Sequence, residues 1–277
     1  MAPPNRPTGG AGRGGPRPHT GHSPREKMSK DLLIGVHPIE EALNAHKDID
    51  RVLVRRGLNS PAWPELKARL QNNQVPIQQV PVEKLDSLAR GKPHQGVVGF
   101  AAAIQYQQLE DLVPFLYEQG KVPLFLLLDG VTDVRNVGAM ARTAEGLGAH
   151  ALILPRHGAA RLGEDAIRAS AGALHHLPVC RPDNLLAAAD YLRASGIQLV
   201  AATEKAWKTA PQADMTGPTC LCMGAEGAGL RADLLARTDD QVSISLRGRV
   251  ESLNVGIAAG ILLYVVDMQR QLAAEQE

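Results

Sequence analysis

A carboxylate stands among three glycines at residues 222–230 (C-M-G-A-E-G-A-G-L), at the end of an apolar run. Glu226 follows Gly224 by two residues and precedes Gly227 and Gly229. Glycine permits close contact between a backbone and a ligand, and it adopts unusual dihedral angles. Glu226 has little to pack against there and could orient a polar ligand, although a flexible turn explains the glycines equally well. The segment is neither a G-x-G-x-x-G turn nor a P-loop followed by Lys-Ser/Thr.

Two further polar segments follow apolar runs and hold amide, guanidinium and hydroxyl side chains. Asn136 and Arg142 lie in one of them, and Ser252 and Asn254 lie in the other, after a basic loop. The spacing alone leaves a structural reading open for each. Asn136 could cap a helix, Arg142 could lie on a solvated helix face, and Ser252 or Asn254 could cap a core helix.

All three segments lie within a βα series that begins at Leu124. Residues 124–128 are continuously apolar, as is typical of a buried parallel strand. The pattern predicts further strands at 151–154, 177–180, 197–202, 219–223 and 241–246, and helices at 136–146, 163–171, 184–195, 230–236 and 252–271. This alternation predicts an α/β fold, a doubly wound parallel sheet with helices on both faces. Ligands of such sheets bind beyond the carboxyl ends of the strands, where the three segments lie.

Three other regions precede this series. Residues 31–104 alternate between strand and helix patterns and predict a small α/β domain. The strands are predicted at 32–34, 51–54, 75–80 and 96–104, and the helices at 37–43, 63–70 and 83–88. Residues 105–122 are polar and predict a linker with one short helix. Residues 1–30 are rich in Gly and Pro, which predicts a disordered tail.

The charge of the chain is unevenly distributed. The tail carries six Lys or Arg and one Glu, whereas the rest carries 24 basic and 28 acidic residues. A globally basic nucleic-acid-binding protein is therefore not indicated, and RNA would need a local patch on the folded part. Aromatic residues make up only 3% of the chain, so few side chains are available to stack on bases.

The cysteine content argues against a disulfide framework, because the chain has only three cysteines. Cys220 and Cys222 would share one face of a strand, so we expect buried packing rather than a zinc site, and no metal. No run of about 18 apolar residues predicts a membrane span. The tail lacks the apolar segment of a secretory signal. Together these features predict a cytoplasmic protein.

The three segments together resemble the signature motifs of the SpoU (TrmH-like) RNA methyltransferase family. The matching motifs are N-V-G-A-x-x-R-T-A from Asn136, G-A-E-G-x-G-L from Gly224 and E-S-L-N-V from Glu251. This similarity covers roughly 124–271. The amino-terminal unit resembles the family's ribosomal-protein-like substrate-binding domain through I-G-V-H-P-I-E-E-A-L and H-Q-G-V-V. The full layout is most similar to the branch that methylates the 2′-hydroxyl of a guanosine in 23S rRNA (RlmB type).

The sequence departs from the family pattern at two positions. Val134 and Ser245 stand where many members have proline, so the two loops lose backbone rigidity. Neither change removes a polar side chain that the resemblance assigns to chemistry.

The resemblance implies a trefoil-knotted methyltransferase domain over 123–277 that uses S-adenosylmethionine. The cofactor-binding positions it implies are Gly224, Ile244 and Leu253, with Met223 and Leu246. The catalytic positions it implies are Asn136, Arg142, Glu226, Ser252 and Asn254. The family's proposed proton acceptor matches Arg142. Arginine is nearly always protonated, so we favour Arg142 as the group that holds an RNA phosphate and stabilises the forming oxyanion.

The resemblance also implies partners. It implies RNA, most simply rRNA, rather than DNA or a membrane, and a homodimer that packs through the terminal helix. Small residues at 258–260 would suit such close packing. We expect RNA contacts from Arg135, Arg247 and Arg249, with Arg156, Arg161 and Arg168 as further basic candidates. The alternatives are a tRNA or other rRNA ribose methyltransferase of the same family, and a non-catalytic RNA-binding assembly factor.

Overall fold

The strands form two separate sheets, one in each half of the chain. The structure, a computed structural model, describes residues 32–45 and 47–276, so the predicted tail at 1–30 lies outside the described residues. No helix within these two ranges is long and apolar enough to cross a membrane.

The first sheet has four strands and is flanked by helices on both faces. Its strands are β1 (Leu32–Ile34), β2 (Ile49–Arg55), β3 (Ile77–Val80) and β4 (Val97–Ala101), in the order β1-β4-β2-β3. Its helices are α1 (Val36–Asn44), α2 (Trp63–Asn72) and α3 (Val82–Ala89). Strand β4 is antiparallel to β1 and β2, and β3 is parallel to β2. Apolar residues of α1 and α2 pack on one face, and Leu85 of α3 packs on the other.

The second sheet has seven strands, and every recorded pairing in it is parallel. Its strands are β5 (Tyr106–Gln107), β6 (Leu124–Asp129), β7 (Ala151–Ile153), β8 (Val179–Cys180), β9 (Gln198–Ala202), β10 (Thr219–Gly224) and β11 (Asp240–Val242). Their order is β11-β9-β10-β6-β7-β8-β5. The chain reverses its direction across the sheet more than once, which confirms the predicted doubly wound α/β class.

Helices cover both faces of this sheet. They are α4 (Leu109–Glu118), α5 (Val134–Gly146), α6 (Glu164–Ala169), α7 (Leu185–Ala194), α8 (Ala232–Leu235) and α9 (Val255–Ala274). The core on one face contains residues of α5, α6 and α9, and the core on the other contains residues of α4, α7 and α8. The three cysteines are buried in the core that contains residues of α4, α7 and α8, as expected of apolar packing. The trefoil knot stays a prediction.

Two differences from the sequence interpretation concern the elements of the large sheet. Residues 105–122 are not a simple linker, because β5 pairs with β8 and α4 packs its apolar face into the core of the large sheet. Strand β11 ends at Val242 rather than at Leu246. Beyond that point Ile244 and Leu246 face a cavity instead of a neighbouring strand.

The two halves meet at a buried polar cluster around Asp50 of β2, whose side chain is 3% exposed. Its carboxylate accepts a hydrogen bond from the Tyr106 hydroxyl at 2.6 Å and pairs with Arg181 Nη1 at 3.3 Å and Arg161 Nε at 3.7 Å. Burial, reinforced by the negative charge of Asp50, raises the pKa of Tyr106 far above its ordinary value, so this hydroxyl stays a donor. Arg161 also lies over the ring of Phe100 at 4.1 Å. Asp50 therefore joins the small sheet to the large one.

Candidate active site

A cavity of about 760 Å³ opens at the carboxyl ends of β9, β10 and β11, beside the start of α9. All five predicted cofactor-binding residues line it: Met223, Gly224, Ile244, Leu246 and Leu253. Three of the predicted catalytic residues line it as well: Glu226, Ser252 and Asn254. Two motifs of the sequence therefore meet around one space, at the edge of the sheet where a doubly wound fold binds its ligands.

A hydrogen-bonded cluster brings together one residue from each of the three motifs. Asn254 Nδ2 donates to Glu226 Oε1 at 2.6 Å and lies 3.1 Å from Asn136 Oδ1, which it also reaches as a donor. Glu226 Oε1 accepts a further hydrogen bond from the backbone nitrogen of Val255 at 3.3 Å. Asn136 itself does not line the cavity, so the cluster joins the cavity wall to helix α5.

The position of Asn254 follows from its place at the start of α9. Its side-chain oxygen accepts hydrogen bonds from the backbone nitrogens of Gly256 and Ile257, at 3.0 and 3.3 Å, which makes it the N-cap of the helix. A cap held at its oxygen has its amide nitrogen directed elsewhere, here to Glu226 and Asn136. Capping and site assembly thus use opposite ends of one carboxamide.

Helix α5 begins with a different cap from the one considered in the sequence. Asp133 Oδ1 accepts a hydrogen bond from the backbone nitrogen of Arg135 at 2.8 Å, so Asp133 caps the helix and Asn136 lies in its first turn. The hydrogen bond from the Arg135 guanidinium, together with that backbone bond, lowers the pKa of Asp133. Asn136 therefore does not cap the helix, and its side chain accepts a hydrogen bond from Asn254.

Gly224 lies where a second segment of backbone crosses the end of β10. A Cβ atom at this position would lie 2.0 Å from the carbonyl carbon of Gly229 and 2.2 Å from the nitrogen of Leu230. Gly227 and Gly229 both have positive φ angles, 80° and 69°, which glycine adopts without strain. The three glycines therefore fold the loop back over the strand, which favours close backbone contact over the flexible turn that the sequence left open.

Asp129 is a residue that the sequence analysis missed. It ends β6 with its side chain buried, and Oδ2 accepts a hydrogen bond from the backbone nitrogen of Arg231 at 2.9 Å. The Arg231 side chain also pairs with it, Nε to Oδ1, at 3.2 Å. This contact ties the far end of the glycine loop to the neighbouring strand. The sequence offered one signal for this residue, because Asp129 is an acidic residue at the end of an otherwise apolar strand.

The remaining predicted residues are exposed. Arg142 is exposed on α5, does not line the cavity, and makes no hydrogen bond or ion pair with any residue that the structure describes. Ser252, Arg247 and Arg249 lie in the exposed loop between β11 and α9. Arg135 is exposed and pairs with Asp133 at 3.1 Å.

The other basic candidates are already paired within the chain. Arg156 lies 2.7 Å from Asp183, and Arg168 lies 3.9 Å from Asp165. Arg161 belongs to the cluster around Asp50. Of the six arginines considered for RNA, Arg247 and Arg249 are the two that make no ion pair within the described ranges.

A fully parallel, doubly wound sheet with a cavity of mixed polar and apolar lining at its carboxyl edge is the arrangement of an α/β enzyme that binds a small-molecule cofactor. Residues 123–264 match the model of the SpoU rRNA Methylase family, and residues 32–107 match that of RNA 2′-O ribose methyltransferase substrate binding. The chain belongs to the SpoU rRNA methylase family.

Two curated relatives align along almost their whole length. The 23S rRNA (guanosine-2′-O-)-methyltransferase RlmB of Yersinia pestis is 35% identical over 88% of this chain and 99% of its own. The enzyme of the same name from Photobacterium profundum is 33% identical over 88% of this chain and 100% of its own. Among solved structures, the SpoU methyltransferase AviRb of Streptomyces viridochromogenes, in complex with the cofactor AdoMet, superposes with a TM-score of 0.55 at 29% identity. The match covers 87% of this chain and 90% of that one.

Proposed function

We propose that this protein transfers a methyl group from S-adenosylmethionine to the ribose 2′-hydroxyl of a guanosine in 23S rRNA. The observation that carries the proposal is the Asn136–Asn254–Glu226 cluster at the rim of the cavity, formed by residues of all three motifs. The names of the two full-length relatives support the rRNA guanosine as the target. The match of residues 32–107 to a substrate-binding model supports a role for the small domain in choosing the RNA.

The cavity suits S-adenosylmethionine in size and in chemistry. Its volume, about 760 Å³, lies within the range of about 300–1,000 Å³ that is typical of small-molecule sites. Its walls combine the backbone of the glycine loop with apolar side chains of Ile244, Leu246 and Leu253. Backbone groups can bind the polar atoms of a nucleoside while the apolar groups cover its base. When bound, the cofactor supplies a methyl group on a sulfonium sulfur, and the neutral thioether that remains after transfer is a good leaving group.

The protein's contribution is alignment of the ribose oxygen and stabilisation of the charge that develops on it. Arg142 holds an RNA phosphate and stabilises the negative charge that develops on the 2′-oxygen, while the hydroxyl proton passes to water. Asn136 orients the ribose or Arg142, and Glu226 positions Asn136 through Asn254. Ser252 and Asn254 fix the loop that closes the cavity.

Arg142→Ala tests the assignment of Arg142. We expect kcat/KM for methyl transfer to fall by about 10²- to 10³-fold, the usual effect of removing one oxyanion-stabilising donor. The melting temperature should not change, because Arg142 is exposed and unpaired among the described residues. Lys67→Ala, on the exposed face of α2, is the matched control. Near-normal turnover of Arg142→Ala would rule out both roles considered for this residue.

Two surfaces are suited to bind the RNA. Arg247 and Arg249 lie on the loop that lines the cofactor cavity, and Arg135 lies at the start of α5. On the small domain, a cleft of about 590 Å³ is lined by Arg55, Lys92 and His94, together with Asp86 and uncharged residues. We assign the first surface to the target nucleotide and the second to a separate part of the RNA.

We also propose that the protein is a homodimer that packs through α9. This helix presents apolar side chains at helical spacing along its exposed side: Ile257, Ile261, Tyr264, Met268 and Leu272. The small residues predicted to face a partner instead face α5 of the same chain, since a Cβ at Gly260 would lie 3.4 Å from Thr143 Cγ2. The large apolar residues therefore replace the small ones in the dimer proposal.

Light scattering coupled to size exclusion tests the dimer. We expect a mass of two chains for the wild type, a shift to one chain for Tyr264→Glu, and no shift for Phe115→Glu on the distant exposed face of α4. A wild type with the mass of one chain at all micromolar concentrations would refute the dimer.

We further propose a cytoplasmic location, since the three buried thiols need no oxidising compartment.

Transfer of a tritiated methyl group from S-adenosylmethionine to unmethylated RNA tests the function itself. Label on 2′-O-methylguanosine in large-subunit rRNA is the expected result. Label in tRNA would keep the chemistry and overturn the substrate. No transfer to free or ribosome-assembled RNA, by a protein that still binds the cofactor, would favour a non-catalytic binding factor.

A further inference from the structure

Trp207 is the most exposed large apolar side chain among the residues that the structure describes, with 87% of its surface accessible. It lies in the loop that follows β9, and the chain has only one other tryptophan, Trp63 in α2. Indole is a costly group to leave in water, since aromatic side chains contribute strongly when they are buried. The family motifs and the site described above give Trp207 no role.

The loop that carries Trp207 is held on both sides. Before it, the backbone nitrogen of Ala206 donates to the Thr203 carbonyl at 3.2 Å, which closes a turn. After it, the backbone nitrogen of Ser243 donates to the Lys208 carbonyl at 2.9 Å, and Lys208 Nζ pairs with Asp240 at 2.5 Å. The indole is therefore presented to solvent by a backbone that is already ordered, and little entropy is lost when a flat ligand stacks on it.

The position of this loop connects Trp207 to the cofactor cavity. Thr203 and Glu204, at the start of the loop, line the cavity, and so does Ser243, which is hydrogen-bonded to its other end. Ser243 also begins the segment that carries Arg247 and Arg249. The loop that carries Trp207 is therefore connected to the wall of the cavity at both of its ends.

The immediate surroundings of the indole are charged rather than apolar. Lys205 is exposed two residues away, and Lys208 Nζ lies 5.7 Å from the centroid of the indole ring. Arg247 and Arg249 lie on the adjoining loop. A protein interface core requires apolar neighbours and excludes charge. Glu204 is also exposed in this loop and Lys208 is paired with Asp240, so Lys205 is the lysine of the loop that makes no ion pair within the described residues. A flat aromatic face beside such a cation is the arrangement that binds single-stranded nucleic acid, with a base on the ring and a phosphate on the cation.

We propose that Trp207 is a stacking platform for an unpaired base of the RNA substrate, close to the ribose that receives the methyl group. The proposal rests on the proposed function, because it takes RNA as the substrate. Stacking would hold the strand open beside the cavity, and Lys205 would bind the adjacent phosphate. The low aromatic content of the chain makes this position distinctive, since few other exposed rings could serve.

Intrinsic fluorescence tests the contact directly. Trp63→Phe leaves Trp207 as the single fluorophore, and its melting temperature confirms that the fold is kept. We expect an unmethylated 23S rRNA transcript to quench the Trp207 emission, and saturating S-adenosylmethionine alone to leave it unchanged. Quenching by the cofactor alone would assign Trp207 to the cofactor and overturn the proposal. A change with protein concentration in the absence of RNA would assign it to a second copy of the chain and also overturn the proposal.

Binding measurements on variants give the second readout. Trp207→Ala should weaken binding of the transcript by about 5- to 150-fold, the range for loss of one base–aromatic stack. Trp207→Phe should restore most of the affinity, because it keeps a flat ring. Phe115→Ala, which removes an exposed aromatic from α4, is the matched control and should change nothing. The dissociation constant for S-adenosylmethionine should be the same in all four proteins.

The two proposals fail in different ways. If the wild type methylates rRNA while Trp207→Ala binds and methylates it equally well, the platform is refuted and the function stands. If the wild type methylates no RNA, the function is refuted, and the fluorescence titration still shows whether RNA reaches Trp207.

Discussion

Asn254 Nδ2 lies 2.6 Å from Glu226 Oε1, although 28 residues separate them in the chain. The same carboxylate oxygen accepts a hydrogen bond from the backbone nitrogen of Val255. Glu226 therefore acts as a second anchor for the start of α9, beside the N-cap made by Asn254 itself. It connects the glycine loop after β10 to the helix that carries the third motif.

Glu226→Ala removes this anchor, and we expect kcat for methyl transfer to fall by about 100-fold, since a displacement of about 1 Å in a positioning group has that effect. Cofactor affinity should change much less than kcat. Glu226→Gln keeps an acceptor oxygen and should retain most of the activity. Equal losses in both variants would show that the charge of Glu226, rather than its acceptor geometry, is what matters.

Gly224→Ala should disrupt the crossing of the backbone over β10. Its Cβ would lie within 2.4 Å of three backbone atoms of Gly229 and Leu230, which cannot move aside as a side chain can. We expect destabilisation of at least about 1–3 kcal/mol, the usual cost of overpacking, and loss of cofactor binding. Chemical unfolding and cofactor titration measure the two effects. Gly146→Ala, with open space around it, is the control and should leave both unchanged.

Protonation of His150 should destabilise the large sheet at acidic pH. Burial, with the positive charges of Arg270 and Lys121, lowers the pKa of His150 below its ordinary value. The unfolded chain then binds the proton more readily than the folded one. The contribution of neutral His150 to the free energy of unfolding is complete above the pKa of about 6.5 that it has in the unfolded chain. It is lost as the pH falls below that value.

The melting temperature of His150→Gln should accordingly fall less between pH 7.5 and pH 5.5 than that of the wild type. Glutamine can still accept the hydrogen bond that His150 Nδ1 takes from the backbone nitrogen of Leu124. His37→Gln, at an exposed position, should follow the wild type. Identical pH dependence in the wild type and His150→Gln would contradict the assignment.

Asp50→Asn should loosen the junction between the two sheets. It leaves Arg181 and Arg161 facing a neutral group in a buried site, and loss of one partner of a buried pair costs about 3–5 kcal/mol. We expect a higher KM for RNA, a larger radius of gyration in small-angle scattering, and unchanged cofactor affinity. Asp183→Asn breaks the half-exposed pair with Arg156 and should cost at most about 1 kcal/mol. Equal effects of the two changes would refute the special role of Asp50.

The sequence was sufficient to predict the features that follow from local patterns. It was also sufficient for those that follow from the rule that ligands bind beyond the carboxyl ends of parallel strands. Asn136 and Asn254 are 118 residues apart, and the rule alone placed both at one edge of the sheet. It could not supply the hydrogen bond between them, because that depends on which end of each carboxamide is free.

Features that arise from tertiary pairing were missed. Strand β5 has two residues, too few to show a period, and it exists because Tyr106 and Gln107 pair with β8. The sequence pattern placed Asp129 at the end of an apolar strand. It could not show the contact with Arg231, because the two residues are 102 positions apart in the chain. Ile244 and Leu246 alternate as strand residues do, yet they line a cavity.

The junction at Asp50 has a consequence for how a substrate is chosen. Asp50 and Arg55 belong to the same strand, and Arg55 lines the cleft of the small domain. Arg161 and Arg181 hold that strand against the sheet that forms the cofactor cavity. Cleft and cavity are therefore joined through one buried junction, and we expect an RNA that contacts both to match their separation with its folded shape. We expect such an RNA to be selected by the distance between its two contact points as well as by its base sequence.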